Sequence, residues 1–332
     1  MKTDLLRMTE TQNTSVPEKG FVEDLMVCWK QLPNKALFFM LLAAWLLFFQ
    51  YLGNATFGYV DTASLFGWMA NGYRDDADGN GDGQGWIIPW VVVGLFWWKR
   101  KQLLALPSRT WWPALLMLTG ALVLHFLGYL IQQPRISIVA LFGGIYALMG
   151  LAWGPAWLSG SLFPFFLFAF NVPFASIAQP VTFRLRLFVT WLVTGVCNNV
   201  LGIDVIREGT QLFNSAHSYG YEVAAACSGL RSTVSILALS TIFGFMSFDK
   251  NWKRALMMAA AFPLSMLGNS LRMMAIIVAA EIGGKSWGDF VHENFFFSLL
   301  PYVPAILGVI ALAHWLREPV AEPALIPKPS PV

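Results

Sequence analysis

Long apolar runs separated by short polar segments constrain this chain more than any other feature of its sequence. Hydrophobic residues make up 56% of the 332 residues, whereas charged residues make up only 12%. Soluble domains carry about 25% charged residues, and an apolar run of about 20 residues is long enough to cross a bilayer. The sequence therefore predicts an all-α, polytopic membrane helix bundle. We expect about eight transmembrane helices, at residues 36–53, 86–98, 111–131, 136–153, 162–177, 230–248, 256–282 and 295–315.

Clusters of basic residues predict how the chain is oriented in the membrane, because cytoplasmic loops are enriched in Lys and Arg. Lys99-Arg100-Lys101, Lys253 and Arg254 all fall on the cytoplasmic side if the N-terminus is inside and residues 182–201 do not cross. We therefore expect residues 182–201 to form a helix that lies at the extracytoplasmic interface. The whole pattern predicts a multi-pass protein of the inner (plasma) membrane.

Composition divides the chain into three parts. Residues 1–34 are polar and mixed in charge, which predicts a cytoplasmic segment without a cleavable signal peptide. Residues 35–316 form the predicted transmembrane domain, and residues 317–332 form a Pro-rich tail that is expected to be disordered. Within the polar stretch before the sixth span, residues 205–210 and 219–223 have the alternation of two short strands, which predicts a small extracytoplasmic β-hairpin-like loop.

Three residues from separate segments are predicted to meet at the extracytoplasmic side. Cys227 precedes the sixth span, where a helix N-terminus favours the thiolate form of a cysteine. Arg272 lies ~27 Å along the seventh helix from Arg254 at 1.5 Å per residue, and an arginine inside a membrane is costly enough to indicate function. His292 lies in the predicted loop after that helix. The alternatives are a small buried Cys227, an Arg272 that serves a structural ion pair, and a solvated His292.

Other polar residues have supporting or neutral interpretations. Asn269 lies one turn before Arg272 on the same helix face and is placed to position it, while Arg231 is a second cation near Cys227. Cys28 and Cys197 are interpreted as non-functional. Residues 76–87 match part of a calcium loop but have Ile87 where a bidentate Glu is expected, so any calcium binding should be weak. We expect no cofactor and no catalytic metal.

The motifs around these residues resemble those of the exosortase/archaeosortase family. The matching segments are Ala226-Cys227-Ser228-Gly229-Leu230-Arg231-Ser232, then Asn269-Ser270-Leu271-Arg272, then His292, with Gly85-Trp86-Ile87-Ile88-Pro89 before Trp98-Lys99-Arg100 as a further block. The family often has His where Gln84 stands in this sequence. The resemblance covers roughly residues 35–315.

The resemblance implies a membrane-embedded cysteine protease or transpeptidase. Its partners would be exported proteins with a C-terminal sorting signal, which consists of a short Pro-Glu-Pro-type motif, a transmembrane helix and a basic tail. The resemblance also implies that Cys227 is the nucleophile, with Arg272 and His292 as the other catalytic residues. It implies further that Ser228 belongs to the nucleophile block. Membrane lipid is the other expected partner, and no nucleic-acid binding is expected.

Two other classes of protein remain open from the residues alone. An envelope glycan transporter or flippase would suit an intramembrane arginine and broken helices, but it predicts internal repeats, which are not found, and gives no reason for Cys227. A zinc-dependent membrane hydrolase would use His217, Cys227 and His292, although the sequence has no HExxH motif.

Overall fold

The computed structural model describes residues 20–52, 64–74, 82–174, 179–223, 230–294, 296–297 and 302–317. These residues are mostly helical, and they include one small three-stranded sheet. The helices are α1 Phe21–Gln31, α2 Lys35–Leu47, α3 Leu65–Tyr73, α4 Ile88–Trp98, α5 Arg100–Leu104, α6 Ala114–Leu130, α7 Pro134–Trp153, α8 Pro155–Phe166, α9 Gln179–Val196, α10 Leu230–Ser247, α11 Asn251–Gly283, α12 Lys285–Glu293 and α13 Val303–Trp315. The predicted helical fold class is therefore confirmed in outline.

In the part of the chain that the structure describes, two helices, α7 and α11, are long and apolar enough to cross a membrane. A third span results there if α1 and the longer helix beginning at Lys35 count as one span bent by 93°. Shorter apolar helices occur at Ile88–Trp98, Ala114–Leu130, Thr233–Ser247 and Val303–Trp315. Helix α8 contains Pro164 and ends at Phe166, where the chain tightens into a 3-10 turn at Leu167–Asn171.

The first half of the chain packs around α7. Helices α6 and α7 form an antiparallel pair, and Trp45 of α2 crosses α7 closely enough to donate from Nε1 to the carbonyl of Leu141 at 3.0 Å. This crossing requires Gly144, because a Cβ there would lie 2.0 Å from the Trp45 ring. The aromatic side chains of α2 and α7 thereby form the core of this half.

The second half is built on α11, a helix of 33 residues and about 50 Å at 1.5 Å per residue. Helix α10 runs antiparallel to it, and the hydroxyls of Thr233 and Ser265 hydrogen-bond across the contact. Helix α13 packs on the same side, where Lys253 donates from Nζ to the carbonyl of Leu316 at 2.7 Å. Because α11 is longer than the ~30 Å hydrocarbon core, its far end is available to carry polar structure.

The sheet covers that far end of α11. Strands β1 Val205–Glu208, β2 Gln211–Asn214 and β3 Gly220–Glu222 are antiparallel in the order β1-β2-β3. The sequence predicted two strands where the structure has three. The missed strand is β2, which begins directly after the chain turns at Gly209, whose φ is 63°. The sheet, α9 and α11 share one buried cluster that includes Val193, Leu212, Tyr221 and Ile277.

Three polar segments contain more helix than the sequence predicted. Helix α1 lies within the N-terminal segment, α3 lies within the polar loop before the second span, and α12 occupies the predicted loop that holds His292. The segment predicted as an interfacial helix is α9, which continues to Leu201 and is not among the helices that are long and apolar enough to span.

Candidate functional site

Arg272 and His292 are brought together by a helical hairpin. Helix α11 continues for eleven residues beyond Arg272, the chain reverses at Gly284, and α12 returns along α11. Gly284 has φ 74°, a conformation that glycine adopts without a Cβ penalty. As a result, Nη2 of Arg272 donates to the main-chain carbonyl of His292 at 3.3 Å. The two residues lie twenty positions apart in sequence but contact each other, with His292 on a helix rather than in the predicted loop.

The return of α12 is fixed by a close contact with the sheet. Gly288 is buried, and a Cβ there would lie 2.0 Å from the Tyr221 hydroxyl oxygen and 2.8 Å from Cβ of Ala280. The hydroxyl of Tyr221 donates to the carbonyl of Lys285 at 3.2 Å. The sheet therefore holds α12 against α11 through one aromatic side chain.

The imidazole of His292 is half-buried beside Tyr221, and the two ring centroids are 6.5 Å apart with an interplanar angle of 24°. Burial lowers the pKa of His292 below its usual 6.5, and the positive charge of Arg272 lowers it further. The carboxylates of Glu293 and Asp289 act in the opposite direction. The net effect favours the neutral imidazole at neutral pH, the form that accepts a proton.

Two tyrosines of the sheet face carboxylates on the α11–α12 hairpin. Burial, and after it the negative charge of the neighbouring Asp289, raises the pKa of Tyr221 to about 12. Tyr219 donates to Oε2 of Glu281 at 2.8 Å, and its pKa is also raised, first by burial and then by Glu281. Both phenols are therefore protonated at neutral pH and act as hydrogen-bond donors.

Asn269 is fully buried at the contact between α11 and α13. Its Oδ1 accepts a hydrogen bond from the Tyr302 hydroxyl at 2.9 Å, and only 1% of the residue is exposed. It lies one turn before Arg272, as the sequence indicates. The side chain thus fixes α13 against the helix that carries Arg272.

The nucleophile block lies largely outside the described residues. Cys227 and Ser228 are both outside them, and Arg231 belongs to the first turn of α10 but its side chain is also outside the described part. The position where α10 begins is nevertheless defined. Because Thr233 pairs with Ser265 in an antiparallel contact, Leu230 lies about level with Gly268, one turn below Arg272.

Sequence reasoning missed Tyr221, Asp289 and Tyr302 as parts of this environment. A signal for Tyr221 was present, since Tyr219, Tyr221 and Val223 alternate and all three are buried. Asp289 precedes His292 by one helical turn, a spacing that acquires meaning only when residues 285–293 are recognised as a helix.

The alternative metal sites receive no support from the described part of the chain. Within it, no three His, Cys, Asp or Glu side chains are grouped so that they could hold a metal ion. His217 is exposed after β2 and stacks on Phe213 with ring centroids 5.3 Å apart. In the calcium-like loop, residues 75–81 lie outside the described residues, while Asp82 is buried and accepts from Nε2 of Gln84 at 3.0 Å.

Comparison with known proteins identifies the family to which the chain belongs. No curated protein and no solved structure matches the chain significantly. A family model described as transmembrane exosortase matches residues 77–318, which is most of the chain and includes all the residues of the candidate site. The chain therefore belongs to the transmembrane exosortase family.

Proposed function

We propose that this protein is a cysteine transpeptidase that processes exported proteins carrying a Pro-Glu-Pro-type C-terminal sorting signal at the extracytoplasmic membrane face. Membership of the exosortase family implies a membrane transpeptidase that acts on sorting signals in general. The observation that carries the more specific proposal is the contact between Arg272 and the main chain of His292, beneath a small sheet and at the end of a long apolar helix.

Cys227 is the proposed nucleophile. It precedes Leu230 by three positions in the sequence. Leu230 begins α10 about one turn below the level of Arg272. This place in the chain supports the assignment of Cys227 to the site that holds Arg272 and His292.

The proposed reaction follows acyl-transfer chemistry. His292 accepts the proton of the Cys227 thiol, and the thiolate attacks the carbonyl carbon of the scissile peptide bond. The tetrahedral intermediate collapses when the peptide C–N bond breaks, and the His292 imidazolium gives its proton to the leaving amine. The remaining thioester is resolved by an amine, which gives transfer, or by water, which gives hydrolysis.

Arg272 is proposed to stabilise the negative charge of the intermediate. A guanidinium carries N–H donors in a planar fork, and one of those of Arg272 donates to the carbonyl of His292. Donors already oriented towards a developing oxyanion are worth about 10²–10³ in rate. Arg231, as a second cation near this face, is proposed to attract a carboxylate of the sorting motif, and Asn269 and Ser228 are proposed to support the site.

The test of this proposal is co-expression with an exported protein that carries such a sorting signal. Loss of the C-terminal tail is read by gel shift for the wild type and for Cys227→Ala. We expect processing by the wild type only.

The proposed orientation has eight membrane passages in the inner membrane, with α9 at the extracytoplasmic interface and residues 317–332 as a cytoplasmic tail. The short apolar helices α4, α6, α10 and α13 would cross with extensions or local thinning of the bilayer. Counting from a cytoplasmic N-terminus, this arrangement places α12 outside and the basic start of α5 inside.

Cysteine-accessibility labelling checks this orientation. Single cysteines at the exposed positions Lys101 and Glu293, in a background without native cysteines, should react with a membrane-impermeant maleimide from opposite sides of the membrane. Labelling of both positions from one side would exclude the orientation and the extracytoplasmic site with it.

The pH dependence of processing should reflect the titration of His292. The neutral imidazole is the base, so the rate should rise with pH and reach its half-maximum below pH 6.5, because burial and Arg272 lower the pKa of His292. Asp289 raises that pKa, so Asp289→Asn should move the half-maximum to lower pH. The exposed carboxylate Glu222 provides the matched control, and Glu222→Gln should leave the profile unchanged. A shift of the Asp289→Asn profile to higher pH would contradict the assignment of His292 as the base.

A further inference from the structure

An apolar groove lies at the end of the bundle remote from Arg272 and His292. It encloses about 470 Å³ between α1, α2, α4, α7 and α8, and nineteen of the twenty residues that line it are apolar or cysteine. The exception is Arg100. Lys99, next to Arg100 in the sequence, interacts electrostatically with Arg254. Arg254 lies ~27 Å along α11 from Arg272, so the groove is at the basic end of the bundle.

Helix α1 forms the outer wall of the groove. It is bent by 93° from the helix that follows it. Nε of Arg100 donates to Oδ2 of Asp24 at 3.1 Å, and the rings of Phe21 and Trp97 lie 5.0 Å apart. The exposed fraction of Met26 is 52% and that of Trp29 is 50%. An amphipathic helix that lies across the end of a bundle with its apolar side chains exposed is typical of a membrane interface.

The rim of the groove carries more positive than negative charge. Arg100 lines the groove and pairs with Asp24, and four further cations lie close to lining residues in the sequence, against the two carboxylates Glu23 and Asp24 at the start of α1. The cations are Lys30, Lys35, Lys99, Arg100 and Lys101. Lys30 and Lys101 are exposed, and Lys35 lies over the ring of Trp29, which lines the groove. Basic side chains at a membrane surface attract anionic headgroups.

The volume of the groove limits which kind of molecule can occupy it. One turn of an α-helix about 10 Å across already fills roughly 420 Å³, so a transmembrane helix does not enter. A single acyl chain that spans half of a ~30 Å hydrocarbon core, with carbon contacts near 4 Å, needs on the order of 300 Å³. An apolar wall with a basic rim therefore matches one lipid chain attached to a negatively charged headgroup.

We propose that this groove is a binding site for an anionic diacyl phospholipid of the phosphatidylglycerol type. One acyl chain occupies the groove, and the phosphate is held by the exposed cations of the basic rim, Lys30 and Lys101. The bound lipid covers the apolar residues between α1 and the bundle, so it also stabilises the docking of α1. This site is separate from the proposed catalytic residues and does not depend on their assignment.

Cys28 provides a direct readout, because it lines the groove and is partly exposed. The purified full-length protein, stripped of lipid in detergent, is treated with N-ethylmaleimide, and alkylation of Cys28 is quantified on its own peptide by mass spectrometry. Added phosphatidylglycerol should slow the alkylation about elevenfold at ten times its Kd, because protection scales as 1 + [L]/Kd. Phosphatidylcholine with the same acyl chains should slow it less than about twofold under the same conditions.

Two pairs of variants separate the acyl chain from the headgroup. Val93→Trp places a large side chain in the groove and should abolish protection, whereas Val123→Trp, at a similarly exposed position on α6, should preserve it. Lys30→Gln combined with Lys101→Gln should weaken protection by phosphatidylglycerol, whereas Lys285→Gln on α12 should not.

Each outcome either supports or refutes the proposal. The comparison of the two lipids on the wild-type protein does so even if a variant folds poorly. Equal protection by the two lipids would refute an anionic site. Absence of protection by both lipids would refute the groove as a lipid site, and retained protection in well-folded Val93→Trp would place the lipid elsewhere.

Discussion

Cys227→Ala should abolish removal of the C-terminal tail, with a loss of at least about 10³-fold in rate, because it deletes the atom that forms the thioester. Cys227→Ser should be almost as severe, since a serine hydroxyl lacks the accessible thiolate state and needs a stronger base than a half-buried histidine. The measurement is tail loss by gel shift in cells that contain equal amounts of inserted enzyme.

Cys28→Ala is the matched control. Cys28 lies at the groove remote from the candidate site, so this variant should retain full processing. Iodoacetamide should inhibit the wild type, whereas a metal chelator should not. The opposite pattern, inhibition by the chelator alone, would favour a zinc hydrolase. A well-inserted Cys227→Ala protein that still removed the tail would refute the cysteine mechanism whatever the other variants did.

Apolar runs predicted the helices well, because a chain in lipid must satisfy its backbone hydrogen bonds within each segment. Seven of the eight predicted spans contain most of a helix in the described residues, although several of these helices are shorter than the run. The fifth prediction, 162–177, was wrong in position, because α8 occupies Pro155–Phe166 and the chain continues as a 3-10 turn. The bend between α1 and α2 was not predictable from such runs. It depends on contacts from distant residues: Asn34, with φ 48°, donates from Nδ2 to the carbonyl of Ala152, and Trp153 donates from Nε1 to that of Pro33.

Helix α12 shows where composition misled the prediction. Residues 283–294 are polar on average and were interpreted as a loop, but their apolar and charged residues segregate to different faces. Trp287 and Phe290 are exposed one turn apart, while Gly288 faces the sheet. Helical periodicity, rather than mean polarity, held the signal.

The candidate site was predictable in part. The sequence placed Arg254 and Arg272 on one helix, and α11 does contain both residues. That Arg272 contacts the main chain of His292 depends on the reversal at Gly284 and on the packing of Gly288 against Tyr221, which are both tertiary features. Tyr221 and Asp289 lie beside His292 because of that packing.

Arg272→Lys should reduce processing by about 10²–10³-fold although it retains the positive charge. A lysine ammonium is a point charge without the planar fork, so it cannot both reach the His292 carbonyl and present parallel donors to an oxyanion. If Arg272 acts mainly in the transition state, the loss should appear in kcat with little change in KM, as measured with a soluble peptide of the sorting motif and purified enzyme.

The control for this substitution is Arg207→Lys, an arginine on β1 that is exposed and donates to the carbonyl of Leu187 at 3.5 Å. It should leave kcat unchanged, because Arg207 lies on the sheet and contacts Leu187 of α9 rather than the main chain of His292. Thermal unfolding of both variants separates catalysis from packing, since Arg272 also tethers the end of α12. An Arg272→Lys enzyme with wild-type kcat would show that positive charge alone suffices, and the planar-fork role would have to be abandoned. A loss of kcat that matched the loss of folded protein would instead assign Arg272 to holding α12 in place.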